Sequence, residues 1–113
     1  MKENKKDKYE FIPMSETAYY ILLSLTEERH GYAIMQYVAE ITDQRINLGA
    51  GTLYGTLSKL EQSGLIIITS EENKRKYYKI TSPGMEVLHL ELNRLKELYY
   101  NGKEVLNNGN EQN

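Results

Sequence analysis

The residues Gly49-Ala50-Gly51-Thr52-Leu53-Tyr54-Gly55-Thr56-Leu57 place three glycines within seven positions, directly ahead of a helical pattern. Such a stretch can cradle a phosphate with its backbone, or open a helix whose backbone must approach something closely. A phosphate-binding Walker loop ends in Gly-Lys-Ser/Thr, but here Gly55 is followed by Thr56. A dinucleotide loop needs Gly-x-Gly-x-x-Gly after a buried strand. Gly49, Gly51 and Gly55 are spaced one residue too widely, and the preceding "RINL" is too short and too charged to centre a sheet. The nucleotide-loop reading therefore fails, leaving a plain turn between helices or the entry to a reading helix.

The residues after the glycines favour the second. With Leu53, Leu57 and Leu60 turned inward, Thr52, Tyr54, Gly55, Thr56 and Lys59 face out, and none is acidic. Threonine and tyrosine hydroxyls and a lysine are groups that contact phosphates and base edges. Lys74, Arg75, Lys76 and Lys79 follow in a turn-like stretch against Glu71 and Glu72, four positive charges less two negative for a balance of +2. Such a run can be only a solvated turn, but here it lies where it would touch flanking backbone. Residues 15 to 43 hold five acids and one arginine. The chain is thus polarised, although its total charge is -2.

Other chemistry is thinly supplied. His30 and His89 are the only histidines; neither has a nucleophile or orienting group at recognisable spacing, so no enzyme is expected. His30, before Gly31 at a helix start, reads as a structural or capping residue. There is no metal-ligand pattern and no cysteine, hence no disulfide, and no cofactor is expected. Ten tyrosines are unusual; most read as core or dimer contacts, and Tyr19, Tyr20, Tyr99 and Tyr100 could also line a pocket for an aromatic effector. "MKENKKDKYE" is too polar for a signal peptide and no run is long and apolar enough for a membrane span, so a cytoplasmic protein without a membrane partner is expected.

The elements that position these residues follow from periodicity. Residues 1–12 read as a flexible basic tail. Ser15 caps a first helix with Ala18, Ile21, Leu22 and Leu25 on one face. A second helix begins near Gly31, with Ile34, Val38 and Ile41 inward. The third, carrying the glycines, ends at Gly64. "LIIITSEENKRKYYKIT" reads as a hairpin. From Pro83 a long helix carries Met85, Leu88, Leu92, Leu95 and Tyr99 at steps of three and four, a seam for a second copy. The expected architecture is mainly α with a small β-hairpin wing: a winged helix-turn-helix over 13–82, a dimerisation helix over 83–107 and a disordered tail over 108–113.

On "AYYILLSLTEERHGYAIMQYV", "GAGTLYGTLSKLEQSGLI" and "RKYYKITSPGMEVL" the chain resembles PadR-family transcriptional regulators across about residues 14–92. Gly51-Thr52-Leu53-Tyr54, Leu60-Glu61, Gly64-Leu65-Ile66, Tyr78-Lys79-Ile80-Thr81 and His30-Gly31-Tyr32 carry the likeness. It implies a dimeric winged-helix repressor joined through its last helix, of the small branch of the family, often with an effector pocket near that interface. Gly55 stands where the family usually has proline, which implies a looser helix start or an altered groove contact. The absence of tryptophan sets the chain apart from small members that stack flat drugs. The expected site is Gly51, Thr52, Tyr54, Thr56, Lys59, Lys74, Arg75 and Lys76 on double-stranded operator DNA, with a small effector relieving repression. The acidic total keeps open a second function, a winged-helix module that binds protein instead of DNA.

Overall fold

The computed structural model describes residues 7–112, and side chains through Asn108. A 3-10 turn (Lys8–Phe11) leads into helix α1 (Glu16–Ser24), strand β1 (Arg29–His30), helix α2 (Gly31–Ile41), helix α3 (Ala50–Gln62), strands β2 (Ile66–Glu72) and β3 (Arg75–Ile80), and helix α4 (Ser82–Gln112). This is a winged helix with a long last helix.

Local chemistry sets the boundaries. The Ser15 hydroxyl accepts the Ala18 N–H at 3.1 Å and so starts α1. At the end of α3, Gly64 takes φ +79, Gly64 N–H donates to Glu61 O, and Leu65 N–H donates to Leu60 O. That left-handed glycine closes the helix in a Schellman motif and releases the chain into β2. Thr81 starts α4: its hydroxyl accepts the Gly84 N–H at 3.1 Å and donates to Gly64 O at 2.7 Å. Gly84 lies so close beneath this joint that a Cβ there would overlap the Leu65 carbonyl.

The core is formed by Ile21, Leu22 and Leu25 of the first helical segment, Ile34 and Val38 of α2, and Leu53, Leu57 and Leu60 of α3. Leu65, Ile66, Tyr78, Val87 and Leu88 complete it. Ile41, expected inward, is exposed on the last turn of α2, beyond the reach of the core.

The sheet has one strand more than the hairpin read from sequence. Its order is β1-β3-β2, antiparallel throughout. Arg29 pairs with Tyr78 and His30 with Tyr77, tying the start of α2 to the wing. Asn73 and Lys74 both have positive φ, 51 and 66, as a two-residue type I′ hairpin turn requires. A bulge at Thr69 shifts the register between Ile68 and Ser70.

The two expected tails differ from the structure. Within 1–12, residues 1–6 lie outside the described region, but residues 8–11 form an ordered turn. Its cap is Asp7, Phe11 and Ile12 pack against the core, and Lys8 pairs with Glu86 of α4 at 2.8 Å. Two apolar side chains beside an open core edge outweigh the polar composition of the segment. At the other end α4 runs through Gln112 where the sequence reading stops it at 107, because Asn and Gly weaken a last turn without blocking it as proline would.

Candidate nucleic-acid interface

Tyr54, Lys74, Arg75 and Lys76, all expected from sequence, converge with His30, Gly31, Tyr32 and Tyr78 on one cleft of about 350 Å³. It lies between the start of α2, the first turns of α3 and the wing. Among the described residues, three cations and no carboxylate line it. Tyr54 is half-exposed, and its phenol rests over Gly31, where any Cβ would overlap it. Gly31 is therefore the residue that admits the ring. Tyr78 forms the floor: it is 6% exposed, and burial pushes its hydroxyl above the usual tyrosine range, with Tyr54 adding to the effect.

The remaining expected residues lie elsewhere on the same helix. Gly51 and Thr52 are exposed on the first turn of α3, and Thr56 is half-buried. Lys59 is a turn further on and borders a separate shallow groove with Phe11, Pro13 and Met14. Gly55 is inside α3, more than a turn after its start, with open space where a Cβ would be. The missing proline therefore leaves the helix start untouched.

His30 was legible only as a cap, and it is one: its Nδ1 accepts the Ala33 N–H at 3.3 Å. Its other nitrogen, Nε2, lies 3.2 Å from Arg75 Nη1, and its ring meets Tyr77 edge-on at 5.2 Å. That second role depends on strand pairing between residues 45 apart, which periodicity does not show.

On α4, Met85 and Leu88 pack into their own chain's core, Leu88 being 6% exposed. The seam continues outward through Leu92, half-buried Leu95 and Tyr99, joined by exposed Leu98, Tyr100, Val105 and Leu106. A hollow of about 370 Å³ beside this seam is lined by Tyr19, Tyr20, Glu91, Arg94 and Leu95, among others. Tyr19 and Tyr20 stack edge-to-face at 5.7 Å; Tyr99 and Tyr100 make a separate pair at 5.4 Å and do not line the hollow. Glu91, unremarked in the sequence, is 1% exposed. It accepts two bonds from Arg94, at 2.8 and 2.7 Å, and the Met14 N–H at 3.3 Å. Arg94 holds its carboxyl below the usual range against the opposing effect of burial, helped by the Met14 N–H.

The profile of the transcriptional regulator PadR-like family matches residues 16–90. The chain belongs to this family. Among similar proteins, an uncharacterized protein of Lysinibacillus sphaericus is 36% identical over 70 residues, covering 58% of this chain. The chain spans less than two thirds, 64%, of that relative. Among solved structures, a PadR-family transcriptional regulator of Eggerthella lenta superposes with a TM-score of 0.67 at 28% identity, covering 80% of each chain. Bacillus subtilis PadR, solved in complex with operator DNA, gives 0.60 at 33% identity, covering 71% of this chain and 47% of that one. The PadR-like likeness thus takes in the winged helix and the base of α4. Among the described residues, no helix is long and apolar enough to cross a membrane.

Proposed function

We propose that this PadR-like chain is a dimeric, DNA-binding transcriptional repressor released by a small aromatic effector. The observation that carries the reading is the cleft where Tyr54 of α3 meets Lys74, Arg75 and Lys76 of the wing with no acid among the described residues. Beside it the exposed first turn of α3, with Gly51 and Thr52, is small enough to enter a major groove. Phosphate contacts from the wing then fix the register of that helix on the duplex. The operator-bound B. subtilis PadR supports the same use of the fold.

The outward part of the α4 seam is the dimer surface in this reading, because Leu92, Leu98, Tyr99 and Leu106 are exposed and, among the described residues, lie outside the core. The hollow beside it, with two phenols and the Glu91–Arg94 pair, is the effector site. A second copy's α4 is the element that would bring Tyr99 and Tyr100 to it.

The test is anisotropy titration of a labelled duplex from the chain's own upstream region across a salt series. Each phosphate contact contributes about one unit of log–log salt slope. Replacing Lys74, Arg75 and Lys76 together by alanine should weaken all duplexes alike and flatten that slope by roughly two to three units. An unchanged slope takes the wing off the DNA. No binding to any duplex at low salt favours a protein-binding module instead.

A further inference from the structure

An imidazole ring offers at most one lone pair to hydrogen-bond donors. His30 faces two donors. The Ala33 N–H points at Nδ1 from 3.3 Å, and Arg75 Nη1, which can only donate, stands 3.2 Å from Nε2. With Nδ1 engaged by the helix cap, the ring proton sits on Nε2 and meets the guanidinium donor-to-donor. Moving the proton to Nδ1 only transfers the conflict to Ala33. The ring stands edge-on against Tyr77 at 5.2 Å, and its backbone is paired with Tyr77 in the sheet.

What completes this arrangement is an acceptor that serves two donors at once. The cleft in front of the pair has room for it, and its other charged members, Lys74 and Lys76, select an anion. We propose that His30 and Arg75 clamp one phosphate oxyanion. His30 donates from Nε2, Arg75 donates from its guanidinium, and the Tyr54 hydroxyl at the same cleft donates as well. Resting on the DNA reading above, the ligand is a backbone phosphodiester of the duplex. His30 is then a binding residue as well as a helix cap, and the His30-Gly31 pair has a joint purpose: the glycine admits the Tyr54 phenol to the cleft that the imidazole also lines.

His30→Asn separates the two roles, because asparagine caps a helix well but cannot reach where Nε2 reaches. The chain has two histidines, so His89 serves as an internal control in long-range proton–nitrogen spectra of the imidazoles. The probes are a duplex from the chain's own upstream region, an unrelated duplex, and inorganic phosphate. Both duplexes should shift the His30 Nε2 signal and leave His89 in place. His30→Asn should keep the melting temperature yet weaken both duplexes alike, by roughly 10-fold, the scale of one charge-assisted hydrogen bond. Combined with Arg75→Ala it should cost less than the product of the two single losses, since both residues hold one phosphate. Duplex binding that leaves the His30 signal unmoved, or single losses that multiply in full, overturns the clamp while the DNA reading stands. A His30 signal that answers inorganic phosphate, in a protein that binds no duplex, supports the oxyanion site and overturns DNA as its source. Silence towards both duplex and phosphate overturns the clamp.

Discussion

Leu92→Ala measures the proposed dimer without disturbing the fold. Leu92 is 48% exposed and lies outside the core cluster, so the single chain does not depend on it. Fully burying a leucine is worth about 1.5–3 kcal/mol. With about half of its surface still in contact with water, Leu92 has about 1 kcal/mol left to gain. A two-fold interface uses each residue twice, so the dimer loses about 2 kcal/mol, about 30-fold in dissociation constant. Leu92→Glu adds the desolvation of two carboxylates and should leave no dimer at micromolar concentration. Sedimentation equilibrium over a dilution series reads the dissociation constant, and circular dichroism melts confirm that the monomer stays folded. Leu88→Glu is the contrasting case: at 6% exposure in its own core, it should unfold the chain. An unchanged dissociation constant for Leu92→Ala, or a wild-type chain that is monomeric at every concentration, refutes the seam.

Gly84→Ala forces a Cβ onto the Leu65 carbonyl, a backbone atom that cannot swing away, and should lower stability by about 1–3 kcal/mol in denaturant titrations. Gly31→Ala brings a Cβ against the end of the Tyr54 side chain and within 3.3 Å of Leu53 Cδ2, so duplex affinity should fall with only a small loss of melting temperature. Tyr54→Phe deletes a hydroxyl and keeps the ring; about 5-fold weaker duplex binding at equal melting temperature is expected, and equal affinity would return Tyr54 to a packing role. Glu91 is held below the ordinary carboxylate range, so its contribution is complete above that range and is lost as pH falls through the lowered value. Glu91→Gln should lower the melting temperature near neutrality and reduce its fall on acidification; parallel pH profiles for the two proteins would show that the carboxylate carries none of it.

Where a residue's role is fixed by its neighbours in sequence, the sequence was enough. Leu53, Leu57 and Leu60 share one helical face, Ser15 caps, and Gly64 must turn left, and each does so in the structure. The α4 seam shows where this stops. Its period runs unbroken from Met85 to Tyr99, but periodicity does not say which neighbour covers it, and the first two positions are taken up by the chain's own core. Val87 and Glu91 lie off that seam and are buried because other elements pack there. Strand β1 is two residues long, too short for any alternation to register. Within the cleft, the wing cations and Tyr54 were legible from type and position. His30 was legible for one nitrogen only, since the other meets a residue brought near by the sheet.

The third strand also has a kinetic meaning. Because β1 pairs with β3, the separation between the imidazole and the wing guanidinium is set by backbone register, and not by a loop that must first be caught in the right conformation. The type I′ turn at Asn73 and Lys74 likewise gives the wing tip a preset course. Little conformational freedom then remains to be lost on contact. Association with a charged polymer should accordingly be a single bimolecular step, fast at low ionic strength and without a slow phase of wing ordering, so that differences between target sequences appear chiefly in how long the complex lasts.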